Sequence, residues 1–186
     1  MFLLGPAMAT LPKILALHGG GMTPASFEAM RGMADLERAL SGEYEFVFAQ
    51  GAYPVEAGYN WIPDPPSKDR PSTSPGYADQ SIAALDAIVE AQGPFHAILG
   101  YSQGTAMATL YIARRPGTFQ ATLLYCGYLP TTHTGIMGTI ITAAPFGGIP
   151  AYVFMGDVDY IIVGGGTAGC VTGRRSSKNF KFILRM

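Results

Sequence analysis

Strand-like and helix-like segments alternate along this 186-residue chain, and that alternation limits the folds open to it more than any other feature. Pro12 to His18 is a short apolar run that stops at Gly19-Gly20-Gly21, as a buried strand feeding a flexible loop would. Thr23 and Pro24 then read as an N-cap and a first-turn proline. Phe27, Met30, Met33, Leu36 and Leu40 follow at helical spacing, which predicts one helix over 24–40. Tyr44 to Ala49 alternates like a strand. Ile82, Leu85, Ile88 and Val89 mark a second helix, stopped by Gly93-Pro94. Phe95 to Leu99 predicts a strand, Gly104 to Arg115 a helix ended by Pro116, Phe119 to Cys126 a strand, and Ala151 to Met155 a last clear strand. Strands separated by helices in this way pair in parallel through crossovers, so the expected architecture is a mostly parallel, doubly wound α/β sheet.

The rest of the chain is irregular by the same reading. Six prolines and the single tryptophan, Trp61, fall between Gly51 and Gly76, which predicts a long loop whose Tyr59-Asn60-Trp61-Ile62 stretch is ordered near a site. Gly127 to Pro150 is expected to be a Gly/Pro/Thr-rich connection, and the two segments together are the expected walls of a substrate pocket. Apolar residues make up 48% of the chain and charged residues 13%, enough for one well-filled core. Twelve Lys+Arg against thirteen Asp+Glu leave a net charge of -1, which argues against a nucleic-acid partner. No apolar run is long enough to cross a membrane, and the apolar N-terminus lacks the basic start of a signal peptide. Two cysteines, Cys126 and Cys170, fit neither a disulfide scaffold nor a metal site. They read as reduced, buried thiols in a cytoplasmic protein that holds no metal.

Chemistry is concentrated in Gly100-Tyr101-Ser102-Gln103-Gly104, a G-x-S-x-G placed directly after a predicted strand and before a predicted helix. A nucleophilic serine has to stand at the tip of a sharp turn, and glycines two residues to either side remove the side chains that would collide there. The helix behind it points unpaired N–H groups at the same spot, so the Gln103 N–H is a candidate oxyanion donor. A second donor is expected from the loop after the first strand, where His18-Gly19-Gly20-Gly21 offers bare backbone. Gly20, Gly21 and Met22 are all candidates.

The segments L-P-K-I-L-A-L-H-G-G-G-M-T-P, Y-E-F-V-F-A-Q-G-A-Y-P and G-Y-S-Q-G together resemble the fungal FSH family of small α/β-hydrolase-fold serine hydrolases, over roughly residues 11–159. The resemblance implies an α/β-hydrolase fold and hydrolysis of acyl esters or thioesters through an acyl-serine on Ser102. Some members release polyketide chains from their synthases, so a carrier-bound polyketide joins small acyl esters and thioesters among the implied substrates. It also implies an acid from a G-x-x-D segment after the penultimate strand, which is Asp159 in Gly156-Asp157-Val158-Asp159.

A serine triad also needs an imidazole, and the family places it last in the chain. No histidine follows Asp159. His18 belongs to the oxyanion loop, His96 lies in a strand, and His133 is the possible base if its loop folds over the serine. In place of the family's ending, Asp159 to Val171 reads as a strand running into G-x-G-x-x-G. This resembles the start of glucose-methanol-choline flavoenzymes, over residues 159–186. The acidic ribose ligand about twenty residues on is missing and Arg185 stands near its place, so no flavin or other cofactor is expected. The expected organisation is therefore a hydrolase domain over 1–159, altered or truncated at its C-terminal end, and an atypical tail over 160–186 with an incomplete dinucleotide fingerprint. An alternative outcome is a pseudo-hydrolase without the triad histidine, an acyl- or partner-binding remnant.

Overall fold

The computed structural model describes residues 10–63, 69–154, 159–161 and 173–175. Five strands form one all-parallel sheet: β1 (Lys13–Leu17), β2 (Glu45–Ala49), β5 (Phe95–Tyr101), β6 (Ala121–Tyr125) and β7 (Ala151–Phe154), in the order β2-β1-β5-β6-β7. The crossover helices are α1 (Pro24–Glu28), α2 (Arg31–Ala39), α3 (Asp79–Gln92), α4 (Gln103–Arg114) and α5 (Thr134–Ala143). Two short antiparallel ribbons, β3 (Tyr53–Val55) with β4 (Gly58–Asn60) and β8 (Asp159–Ile161) with β9 (Gly173–Arg175), and a 3-10 turn over Phe146–Gly148 complete the described elements.

Alternation along the strands sends side chains to two apolar layers, as a doubly wound sheet requires. Leu15, Leu17 and Ile98 face one way, into a cluster with Leu85, Met107, Leu110, Tyr111 and Ile136 from α3, α4 and α5. Ile14, Ala16, Ala97 and Leu99 face the other way, against Phe27, Met33 and Leu36 from α1 and α2. An ion pair fastens α3 to α4: Arg115 Nε and Nη2 donate to the two Asp86 oxygens at 2.9 and 2.6 Å, and Tyr111 Oη donates to Oδ1 at 2.9 Å.

The chain runs from β1 to β2 in one direction and then returns to the other side of β1 for β5, β6 and β7. The connections leaving β1 and β5 therefore diverge at the C-terminal ends of two neighbouring strands. Open α/β sheets bind their ligands in such a crevice. Here it receives the His18–Gly21 loop from β1 and Ser102 from β5.

Three elements differ from the sequence reading. The helix expected over 24–40 is two helices, because Met30 is extended (φ -62°, ψ 133°). Its apolar face is nonetheless the predicted one, with Phe27 packed between Phe48 and Tyr101 at ring distances of 5.9 and 5.7 Å. The 51–76 loop contains the β3–β4 hairpin. The 127–150 connection contains α5, whose Gly135 and Gly138 argue locally against a helix. Gly135 is there for space: a Cβ on it would come within 2.5 Å of the Ser74 carbonyl carbon. Tertiary contact with α4 and with the 72–75 segment outweighs propensity.

Candidate active site

Ser102 occupies the junction of β5 and α4 with φ 51° and ψ -116°, a conformation that non-glycine residues rarely adopt. Its neighbours hold it there. The Ser102 N–H donates to the Tyr125 carbonyl at 3.0 Å, and the Thr105 hydroxyl donates to the Gly100 carbonyl at 3.0 Å. The two flanking glycines are a matter of space. A Cβ on Gly100 would lie 2.5 Å from the Gly104 carbonyl oxygen, and one on Gly104 would lie 2.6 Å from the His18 carbonyl oxygen. The G-x-S-x-G spacing thus lets α4 start in backbone contact with the ends of both β1 and β5.

At the start of α4 the Gln103 N–H has no hydrogen-bond partner among the described residues. It lies at the positive end of the helix, where a developing negative charge is stabilised. Across the crevice, the three candidate donors left open by the sequence separate. The Gly21 N–H is committed to the Tyr59 carbonyl at 3.0 Å and to Asn60 Oδ1 at 2.9 Å, and the Met22 N–H donates to the Gly19 carbonyl at 3.2 Å. Of these three, the Gly20 N–H alone is without a partner among the described residues. The Gly21 N–H, expected as a donor to the site, is thus engaged by the β3–β4 ribbon in this structure.

His18 is fully buried and spends both ring nitrogens on the framework. Nδ1 lies 2.7 Å from the Gly19 carbonyl and carries the proton, while Nε2 accepts from the Gly51 N–H at 3.1 Å. Burial lowers its pKa below the ordinary value, against the opposing pull of the Gly19 carbonyl, so it is a neutral anchor. His96 lies with its ring 5.6 Å from that of Tyr44 on the strand. His133, the candidate base, is buried against Tyr77, with ring centroids 4.8 Å apart. Its Nδ1 has no partner among the described residues, burial lowers its pKa, and no described hydrogen bond joins it to Ser102.

Asp159 opens β8, whose register pairs it with Arg175 outside the five-stranded sheet. The Asp159 side chain, the Gly164–Gly169 fingerprint and Cys170 lie outside the described residues. Cys126, expected to be buried, is exposed, with φ 48° at the end of β6. Among the described residues no group of His, Cys, Asp and Glu could hold a metal ion, and no helix is long and apolar enough to cross a membrane.

An apolar cavity of about 400 Å³ opens on the α1–α2 side of the strand ends, lined by Phe27, Met30, Met33, Tyr101, Tyr125 and Cys126 among others. Its described walls come from α1, α2 and the ends of β5 and β6. What the sequence reading assigned no role is a set of side chains behind the two loops. Trp61, fully buried, donates from Nε1 to the His18 carbonyl at 2.8 Å, and Gln103 Oε1 accepts from the Trp61 N–H at 2.7 Å. Asn60 and the Gln103 carboxamide complete the set. The ordered Y-N-W-I stretch in a proline-rich loop was the available signal.

Comparison with known proteins completes the description. The pattern of the family described as serine hydrolase (FSH1) matches residues 8–165. Esterase alnB of Emericella nidulans is 31% identical over 108 residues, covering 56% of this chain and 37% of that protein. Esterase citA of Monascus ruber is 32% identical over 124 residues, covering 56% and 46%. An esterase of Caenorhabditis elegans is 26% identical over 176 residues, covering 83% and 76%. The chain spans less than half the length of the two fungal relatives. Among solved structures it is similar in fold to esterase PE8, with a TM-score of 0.60 at 21% identity over 81% of this chain and 70% of that one. The carboxylesterase from Mesorhizobium loti gives 0.51 at 19% identity over 65% and 57%. A strained serine between a parallel strand and its crossover helix, in a chain matched over most of its length, leads to one assignment: this chain belongs to the serine hydrolase (FSH1) family and has the α/β-hydrolase fold.

Proposed function

We propose that this chain hydrolyses acyl esters or thioesters through an acyl-serine intermediate on Ser102. The observation that carries the reading is the left-handed Ser102 at the β5–α4 junction, beside an unpaired Gln103 N–H. Ser102 Oγ attacks the acyl carbonyl, and its proton passes to a base. The carbonyl oxygen takes up negative charge between the Gln103 and Gly20 N–H groups, the alcohol or thiol leaves, and water releases the acid by the same route. Asp159 is the residue proposed to orient the base. The apolar cavity beside Tyr101 and Cys126 suits a hydrocarbon acyl group.

A carrier-bound polyketide is a further candidate substrate within the same acyl chemistry. It is separated from simple esters by comparing a short-chain nitrophenyl ester with an acyl thioester. We take the hydrolase unit to end at Asp159 and place the protein in the cytoplasm, since two cysteines are too few for the disulfide scaffold of a small secreted domain.

One observation favours a second reading, a scaffold that binds acyl groups without turning them over. Among the described residues His18 has both nitrogens committed and His133 packs on Tyr77, so neither histidine hydrogen-bonds Ser102. Labelling of the folded protein with a fluorophosphonate separates the two. Labelling that is lost in Ser102→Ala is the result expected of a hydrolase. A folded protein that stays unlabelled is the acyl-binding scaffold.

A further inference from the structure

The two unpaired N–H groups lie on elements far apart in the chain, the loop after β1 and the start of α4, and one short segment bonds to both elements. Tyr59 pairs both ways with the oxyanion loop: the Gly21 N–H donates to its carbonyl and its own N–H donates to the Met22 carbonyl, each at 3.0 Å. The next residue, Asn60, accepts from the Gly21 N–H through Oδ1 at 2.9 Å. The two residues after that are held by the nucleophile helix. Gln103 Oε1 accepts from the Trp61 N–H at 2.7 Å, and Gln103 Nε2 donates to the Ile62 carbonyl at 3.3 Å. Trp61 is fixed at its other polar groups as well. Its indole N–H donates to the His18 carbonyl, and its own carbonyl accepts from the Ser81 hydroxyl at 2.6 Å.

Both carboxamides converge on Gly20. A Cβ built there would lie 3.1 Å from Asn60 Oδ1 and 3.4 Å from Gln103 Cδ. The backbone at Gly20, whose N–H has no partner among the described residues, therefore rests against the two amide side chains.

We infer that the segment Asn60–Ile62 is a brace that fixes the Gly20 N–H relative to the Gln103 N–H, with Asn60 and the Gln103 side chain as its positioning residues. The inference rests on the hydrolase reading above and adds to it a source of precision. An oxyanion hole works only while its donors stay aimed at one point, and loops that reorganise during reaction forfeit that advantage. A buried polar network in which every member is paired holds its geometry; the same network with one member removed does not. Neither carboxamide touches the reacting atoms, so each acts through the backbone it holds.

The test is the rate of phosphonylation of Ser102 by a fluorophosphonate, resolved into kinact and KI, with Ser102→Ala as the blank and thermal melting as the check on folding. Asn60→Ala and Gln103→Met are each expected to lower kinact about tenfold while KI stays within about twofold. Amide exchange at Gly21 should quicken in Asn60→Ala. A purely structural role would lower the melting temperature and quicken exchange while leaving kinact in place. That outcome, in a wild type that labels, overturns the brace alone. If either variant fails to fold, the other decides. A folded wild type that does not label overturns the hydrolase reading and takes the brace with it.

Discussion

Two buried histidines lie in loops beyond the C-terminal ends of parallel strands, and they are placed very differently. His18, just after β1, gives Nδ1–H to the Gly19 carbonyl, takes the Gly51 N–H on Nε2, and rests its ring 5.0 Å from that of Trp61. His133, in the loop after β6, lies against Tyr77 and leaves Nδ1 buried without a partner among the described residues. A buried polar group is cheap when every hydrogen bond is made, and costs about 1–3 kcal/mol when one is lost. The first loop is thus framework, built around its imidazole. The second tolerates its imidazole at a cost, which makes it the more permissive place to change.

The comparison breaks most visibly at His18. Replacing it with Ala removes the partner of a buried Gly51 N–H and opens a cavity beside Trp61, so a loss of about 3–4 kcal/mol is expected from the urea unfolding midpoint. A loss below about 1 kcal/mol would mean that the loop is anchored by something other than its imidazole.

Acid comes next. Burial holds the pKa of both His18 and His133 below the ordinary 6.5, so the unfolded chain takes up protons more readily than the folded one. Stability from these groups is complete above about pH 6.5 and is lost as the pH falls through that value toward the folded pKa values. Melting temperatures should therefore drop between pH 7.5 and 5.5, and His18→Gln should flatten the slope more than His133→Gln does, since the His18 site is built around the neutral ring. An equal flattening by the two variants would erase the distinction between the loops.

The smallest effect belongs to His133→Phe. It keeps an aromatic ring against Tyr77 and removes the unpaired nitrogen, so stability should stay within about 1 kcal/mol of wild type, and Ser102 labelling should be unchanged. Loss of labelling in a folded His133→Phe protein would instead identify His133 as the base.

The fold was legible where local pattern and tertiary packing agree. β1, β5, β6 and β7 were readable as short apolar runs, and α3 and α4 from their apolar spacing and the prolines that follow them. α5 was not legible, since its Gly135 answers to a neighbouring loop some sixty positions earlier in the chain, which also accepts a hydrogen bond from Thr134 at the Ser72 carbonyl. The same division holds at the candidate site. Ser102 and its glycines carry a local signature because strand, turn and helix are consecutive. The brace has none: Asn60 and Gln103 are ordinary carboxamides in sequence, and only the tertiary fold brings the end of β4 against the end of β1 and the start of α4. A donor such as Gly20 is likewise indistinguishable from Gly21 until the partner that claims its neighbour is known.

The conformation of Ser102 is set by contacts from Leu17, His18, Gly100, Gly104, Thr105 and Tyr125. All of them lie before β7 in the chain. Synthesis proceeds from the N-terminus and domains fold as they emerge. The residues that hold the serine in its turn therefore all precede β7 in synthesis, although the sheet they belong to is complete only once β7 pairs with β6.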